Sequence, residues 1–275
     1  MMDVLNKIFS KIEYWKYKRY VNIIATIYLN LRTLPFKQAL KLPVFVYGKV
    51  TFASLRGKIV LDCPHVKRGM VKMGRHQDDY ILHSNRQLLR LDKDGRIIVK
   101  GYCSIASDFL FKITTGTLVL GDRVWIGQGV CFDCNERIEI GDCTSITYST
   151  VLSDSNHHFV IDANKVVHRM SKPIILGKYN WIGNNSIIDK GCVTTDYSIV
   201  THGSLLNKNY EQLGGTEESL LLAGTPAKIL RKGLRRVFES SNEKILKEYF
   251  DANPERDSYL WNGNFHDECE LKYFL

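Results

Sequence analysis

The feature that most constrains what this chain can fold into is a repeat of six residues. Between Pro173 and Leu206, the residues Leu176, Ile182, Ile188, Thr194, Val200 and Leu206 fall in one unbroken phase. Two positions ahead of each lie Ile174, Asn180, Ser186, Cys192, Ser198 and Ser204, most of them small. The same phase recurs as Val99, Ile105 and Phe111, as Leu120, Ile126 and Phe132, and as Ile140, Ile146 and Leu152. Fourteen of these fifteen positions are apolar, well above the 44% of the whole chain, and glycine directly follows five of them. A helix needs an apolar period near 3.6 and an ordinary strand a period of two, so neither explains six. A six-residue unit can hold a short strand, one inward aliphatic side chain and a corner, with glycine relieving the backbone where the corner is tight.

Three such units make a coil of eighteen residues. Coils stacked in parallel form a solenoid, in which each coil covers the apolar end of its neighbour. Val99, Leu120, Ile140, Leu176 and Thr194 then open successive coils, at separations of 21, 20, 36 and 18 residues. The long third interval predicts a loop ejected from the solenoid over about 153–173. Gly57–Arg75 carries a looser version of the pattern and is a candidate for earlier coils. The expected division is a helical N-terminal segment over 1–45, a parallel β-helix over 46–222, and a basic turn, helix and tail over 223–275. Ser240 and Glu243 look like a capping box opening that last helix, which should run to about Phe250.

Charge and cysteine usage narrow the setting. The chain has 38 Lys and Arg against 29 Asp and Glu, a formal charge of +9. This suits a polyanionic ligand or an anionic surface without choosing between them. No nucleic-acid-binding motif accompanies the charge, so nucleic acid is not an expected partner. Seven cysteines at irregular spacing argue against a disulfide scaffold and for a reducing cytoplasm. Cys131-x-x-Cys134 has no second such pair and falls at an expected corner, which makes a metal or redox role weak. Cys103 and Cys192 occupy the small inward position and read as core. The nearest approach to a membrane span is Tyr20–Leu31, too short and interrupted by Asn22 and Asn30. It reads as a packed N-terminal helix, with a membrane-surface helix as the alternative. A signal peptide is disfavoured by Arg32, Pro35 and Lys37 directly after it, with no small-residue cleavage site.

Four features together resemble a known family: the hexapeptide phase, the ejected loop with SDSNHHF at 153–159, KPIILGKYNWIGNNSIIDKG at 172–191, and LLAGTPAKILRK at 221–232. Over about residues 97–232 the chain is similar to the left-handed parallel β-helix acyltransferases. Within that family it looks most like the O-acetyltransferases of bacterial sugars and surface polysaccharides. The left hand of the coil is implied by this resemblance alone, because the usual crossover rule favours the other hand. The resemblance also implies a homotrimer, acetyl-CoA as co-substrate, and transfer of its acetyl group to a sugar hydroxyl in polysaccharide biosynthesis. Such a protein would be cytoplasmic, or held at the inner face of the membrane. N-acetylation of an amino-sugar nucleotide and a non-catalytic polysaccharide-binding solenoid remain as alternatives. A zinc enzyme on the same scaffold would need histidines five residues apart, and the eight histidines contain no such pair, so no metal is expected.

The resemblance assigns roles residue by residue. His157 follows Asp154 and Asn156 as in the family's Asp-x-Asn-His, and lies 24 residues before Trp181. It is the candidate general base, and a motif one residue longer would select His158 instead. Asp154 would orient the imidazole or bind a sugar hydroxyl, unless it is only an exposed loop carboxylate. Asn135, six residues before Gly141, is the candidate acceptor contact, with a corner role as the alternative. The coenzyme would lie in a groove between neighbouring subunits near Trp181 and Asn184, with backbone N–H groups of Gly183 and Gly203 as donors. Ala223 and Gly224 match the terminal turn beside the pantetheine–adenine end. Lys228, Arg231, Lys232, Arg235 and Arg236 form a cluster suited to phosphates. His168 and His202 receive no role.

Overall fold

The computed structural model describes residues 20–75, 86–215 and 219–263, together with Cys269 and Phe274. The chain winds through successive coils, and each full coil gives one short strand to each of three parallel sheets. The sheets hold nine, seven and five strands and form the faces of a three-sided prism. A central coil shows the pattern, with Val124–Ile126 on the first face, Cys131–Cys134 on the second and Arg137–Ile140 on the third. The first coil opens at Val44–Val46, and the Gly57–Arg75 stretch supplies the strands Lys58–Leu61 and Val71–Arg75.

Strand register turns the sequence phase into three stacks of side chains. On the first face Val46, Met73, Ile105, Ile126, Ile146, Ile182, Val200 and Leu222 lie one above the other. On the second, Phe52, Leu89, Phe111, Phe132, Leu152, Ile188 and Leu206 do the same. Leu61, Val99, Leu120, Ile140 and Leu176 fill the third. All but Phe52 are buried. The all-β parallel solenoid expected from the repeat is therefore the observed fold. Thr194, the one polar member of the phase, follows Val193, which bridges to Ile175, and is buried too. Its hydroxyl donates to Asn180 Oδ1 at 2.7 Å and accepts from the Gly177 amide at 3.1 Å, so the burial leaves no orphaned polar group.

Four helices are described: α1 (Ile23–Thr33), α2 (Phe36–Ala39), α3 (Tyr210–Gly214) and α4 (Ser240–Ala252). An open solenoid end exposes a row of unpaired strand groups that invite a second chain. Helix α1 closes that edge. Asn30 accepts from the Val44 amide at 3.1 Å and donates to the Val44 carbonyl at 2.7 Å, while Thr26 Oγ1 accepts from the Val46 amide at 3.0 Å. Leu29 seals the apolar end of the stack. At the other end, Leu220–Gly224 joins the first face and folds back on Ala227–Lys232 as an antiparallel hairpin. The expected capping box of α4 does not form. The helix starts one residue earlier than that reading needs, so Glu239 takes the cap position and Ser240 falls inside the first turn. Asn242 donates to Glu239 Oε2 at 2.7 Å instead.

Candidate active site

The last second-face strand before the ejected loop is Val151–Ser153, and the chain returns to the solenoid at Ile174. Between them lies an excursion built on the antiparallel pair Val160–Ile161 and Val167–His168. Asp154 staples its root to the corner of the preceding coil. Its carboxylate accepts from the amides of Asn135, Glu136 and Arg137, each at 2.8 Å, and the residue is fully buried. This corrects the sequence expectation for Asp154. With both oxygens committed to three backbone donors, it is neither an exposed carboxylate nor a partner for a sugar or an imidazole.

Three residues on, His157 turns back over the second face. Its backbone is left-handed, at φ +59°, and its amide donates to Ser155 Oγ at 3.1 Å. His157 Nε2 lies 2.7 Å from Asp133 Oδ2. Lys112 Nζ donates to the same oxygen at 3.2 Å, and Asn135 Nδ2 donates to the other at 3.1 Å. Asn135 is held in turn by Thr114, whose hydroxyl donates to its Oδ1 at 2.8 Å. Burial pushes the Asp133 carboxyl up, but hydrogen bonds from His157 and Lys112, with the Lys112 charge, outweigh it and hold the group below its ordinary range. An ionised carboxylate only accepts, so in the neutral imidazole Nε2 carries the proton and Nδ1 presents a lone pair. A cavity of about 400 Å3 opens beside this network, lined by Asn135, Glu136, Phe159, Arg169, Met170 and Ser171. His158 is exposed.

Because folding lowers the Asp133 pKa, the stabilisation this carboxylate supplies is full above its unfolded value and is lost as pH falls through its folded value. Asp133→Asn is therefore expected to flatten the acid limb of a stability–pH profile measured by denaturant titration. An unchanged acid limb would mean that the His157 and Lys112 contacts do not hold in solution.

The residues expected to meet a coenzyme gather elsewhere. Trp181 stands on the outer side of the first face, in register with Ser145 and Ile199. It lines a groove of about 450 Å3 with Trp125, Tyr148, Gly183, Asn184 and His202. Gly183 and Gly203 do not offer their amides there, contrary to the sequence expectation. The Gly183 amide donates to the Val200 carbonyl and the Gly203 amide to the Asn184 carbonyl, each at 2.8 Å, because both belong to the corner ladder between coils. Gly183 is needed for packing instead, since a Cβ there would lie 2.5 Å from the His202 amide nitrogen. His202, given no role from sequence, is a wall of the groove.

Ala223 and Gly224 continue the same corner one rung further. Leu222 pairs with Val200, and the Gly224 amide donates to Ser204 Oγ at 3.2 Å. Lys228 and Arg231 sit on the outer strand of the hairpin, opposite Ala223 and Leu221. Of the rest of the basic cluster, Lys232 and Arg235 turn elsewhere and Arg236 stays beside Trp181. Lys232 Nζ donates to the Gly214 carbonyl, Arg235 lies 4.7 Å from the Tyr197 ring centroid, and Arg236 lies 5.5 Å from that of Trp181. Cys131 and Cys134 lie on a strand rather than at a corner, and their odd spacing turns them to opposite sides.

One chain thus brings His157 and Asn135 together at one edge of the second face, and Trp181, Asn184, Ala223 and Gly224 together at the other. Asp133 is the site residue that the sequence reading missed. A signal for it existed, because Asp133 pairs with Ser153 at the point where the excursion leaves the solenoid.

Comparison with known proteins finds partial similarity to acetyltransferases. The galactoside O-acetyltransferase of Escherichia coli (strain K12) is 27% identical over 133 residues, which is 41% of this chain and 63% of that protein. The putative lipopolysaccharide biosynthesis O-acetyl transferase WbbJ of the same strain is 25% identical over 130 residues, 42% of this chain and 61% of that protein. The matches therefore span less than two thirds of these relatives' length. Among solved structures, the polySia-specific acetyltransferase NeuO has a TM-score of 0.45 at 20% identity, covering 76% of this chain and 98% of that one. No protein-family model matches the chain. Over these stretches the chain is similar to acetyltransferases, at low identity.

Proposed function

We propose that this protein transfers an acetyl group from acetyl-CoA to a sugar hydroxyl, in the building of a bacterial surface polysaccharide. The observation that carries the reading is the His157–Asp133 pair on the root of the excursion, beside a cavity. Asp133 fixes the imidazole tautomer, so that Nδ1 takes the acceptor's hydroxyl proton as its oxygen attacks the thioester carbonyl. The C–S bond then breaks, and the imidazolium returns the proton to the departing thiolate. Asp133 stabilises the imidazolium meanwhile. Such general-base assistance contributes typically about 10²–10⁴ in rate. The groove along Trp181, Asn184, Ala223 and Gly224, with Lys228 and Arg231 beyond it, suits an extended thioester ending in phosphates.

Within one chain the whole second face separates His157 from that groove. A site needing both is completed by a second copy, whose groove edge meets the first copy's His157 edge. Flat prism faces repeated around a threefold axis do this in a homotrimer. Light scattering should then give a mass near three chains of 31.6 kDa, and a fully active monomer would overturn the arrangement. The seven free cysteines suit a reducing cytoplasm.

The decisive test is to incubate the purified protein with acetyl-CoA and a panel of sugars, nucleotide sugars and lipid-linked glycans, and to follow free thiol release. Acceptor-dependent release with a hydroxyl sugar is the expected result. Release with amino sugars alone would move the reaction to N-acetylation, and none with any acceptor would defeat the transferase reading.

A further inference from the structure

Helix α1 is built inside out. Its polar residues Thr26, Asn30 and Thr33 are buried, while Ile23 and Ile24 are 67% and 83% exposed. Phe36 and Leu40, just beyond, are 69% and 64% exposed, and Tyr20, Tyr28 and Leu31 are also open. The inversion is not free to relax. Thr26 and Asn30 hold the backbone of Val44 and Val46, so rolling α1 to hide its isoleucines would strip the outer edge of the first strand of these hydrogen bonds. Soluble proteins rarely leave a contiguous apolar surface of this kind without an occupant.

The charge around the face selects the occupant. From Tyr14 to Leu61 the sequence contains nine Lys and Arg and not one Asp or Glu. Arg32, Lys37 and Lys41 are exposed on the same short stretch as the apolar residues. Among the described residues no helix is long and apolar enough to cross a membrane. Apolar side chains rimmed by cations, on a segment too short to span, match the interfacial depth and negative potential of a lipid surface. We propose that the face formed by α1, Phe36 and Leu40 docks this end of the solenoid onto an anionic lipid bilayer. Glycan acceptors carried on lipid would then be presented at the surface where the protein sits. Docking itself does not depend on the acetyl-transfer reading.

The test uses the full chain with vesicles of phosphatidylcholine, with and without phosphatidylglycerol. Sedimentation with the anionic vesicles is expected, at least roughly tenfold stronger than with the neutral ones. The combined variant Ile24→Gln, Phe36→Gln and Leu40→Gln should lose roughly tenfold or more of that binding, while its thermal midpoint and mass in solution stay unchanged, because the three side chains point outward. Lys37→Gln with Lys41→Gln should weaken binding to anionic vesicles only, and serves if the apolar variant misfolds. The proposal is overturned if the unaltered protein ignores both vesicle types, or if neither variant weakens binding. It is also overturned if the apolar variant lowers the mass in solution, which would show that a second copy covers the face. Thiol release is not read in this experiment, so its failure leaves the transferase reading untouched.

Discussion

His157→Ala should lower turnover by about 10²–10⁴ while affinity for acetyl-CoA stays within a few fold, since a base serves the transition state and not donor binding. The geometry gives the reason. His157 is the histidine whose Nε2 is held at 2.7 Å by a carboxylate that Lys112 and Asn135 hold in place. His158→Ala should be much milder. Asp133→Asn should fall between them, because an amide can hydrogen-bond either tautomer and no longer favours the imidazolium. Steady-state kinetics with saturating donor, checked for rate-limiting chemistry, decide the matter. The reverse order of the two histidine variants would move the role to His158. A loss below tenfold for both would reduce the excursion to a lid.

Phe132→Ala should cost about 3–5 kcal/mol of stability, the range for emptying a phenylalanine site in a packed core. Phe132 is fully buried in the second-face stack, with its ring edge-on to Phe111 at 4.9 Å between centroids and Leu152 on its other side. No neighbour can move in to fill the space, because each is fixed by its own strand pairing. In a solenoid each coil is held mainly by its two neighbours, so the loss should also lower the cooperativity of unfolding. Denaturant titration with Leu230→Ala as an exposed control, expected within about 0.5 kcal/mol of the unaltered protein, provides the measurement. A loss near that of the control would show that the stack does not carry the fold.

The parts of this protein legible in its sequence are those set by a repeating local rule. A six-residue phase places one inward side chain per strand, so Ile182, Phe132 and Leu120 could be assigned to stacks before any contact was known. The ejected loop was legible for the same reason, as the one interval about a full coil longer than the others. The capping box was misread, because Ser240 and Glu243 have the right spacing for a motif whose position depends on where the chain leaves the preceding coil.

Tertiary structure alone decided which polar groups meet. Asp154 and Asp133 look alike as acidic residues near the excursion, yet one is sealed by three amides and the other faces an imidazole. Nothing local distinguishes them, because hydrogen bonds between coils join residues about twenty positions apart. The amides of Gly183 and Gly203 were likewise committed by the ladder, not by their own neighbours in sequence. The inverted helix α1 follows the same physics. Its apolar residues alone predict an inward face, but an open strand edge demands hydrogen bonds, and Thr26 and Asn30 were the residues able to supply them. Periodicity is a property of the chain and can be read from it, whereas the pairing of polar groups is a property of the packed coils.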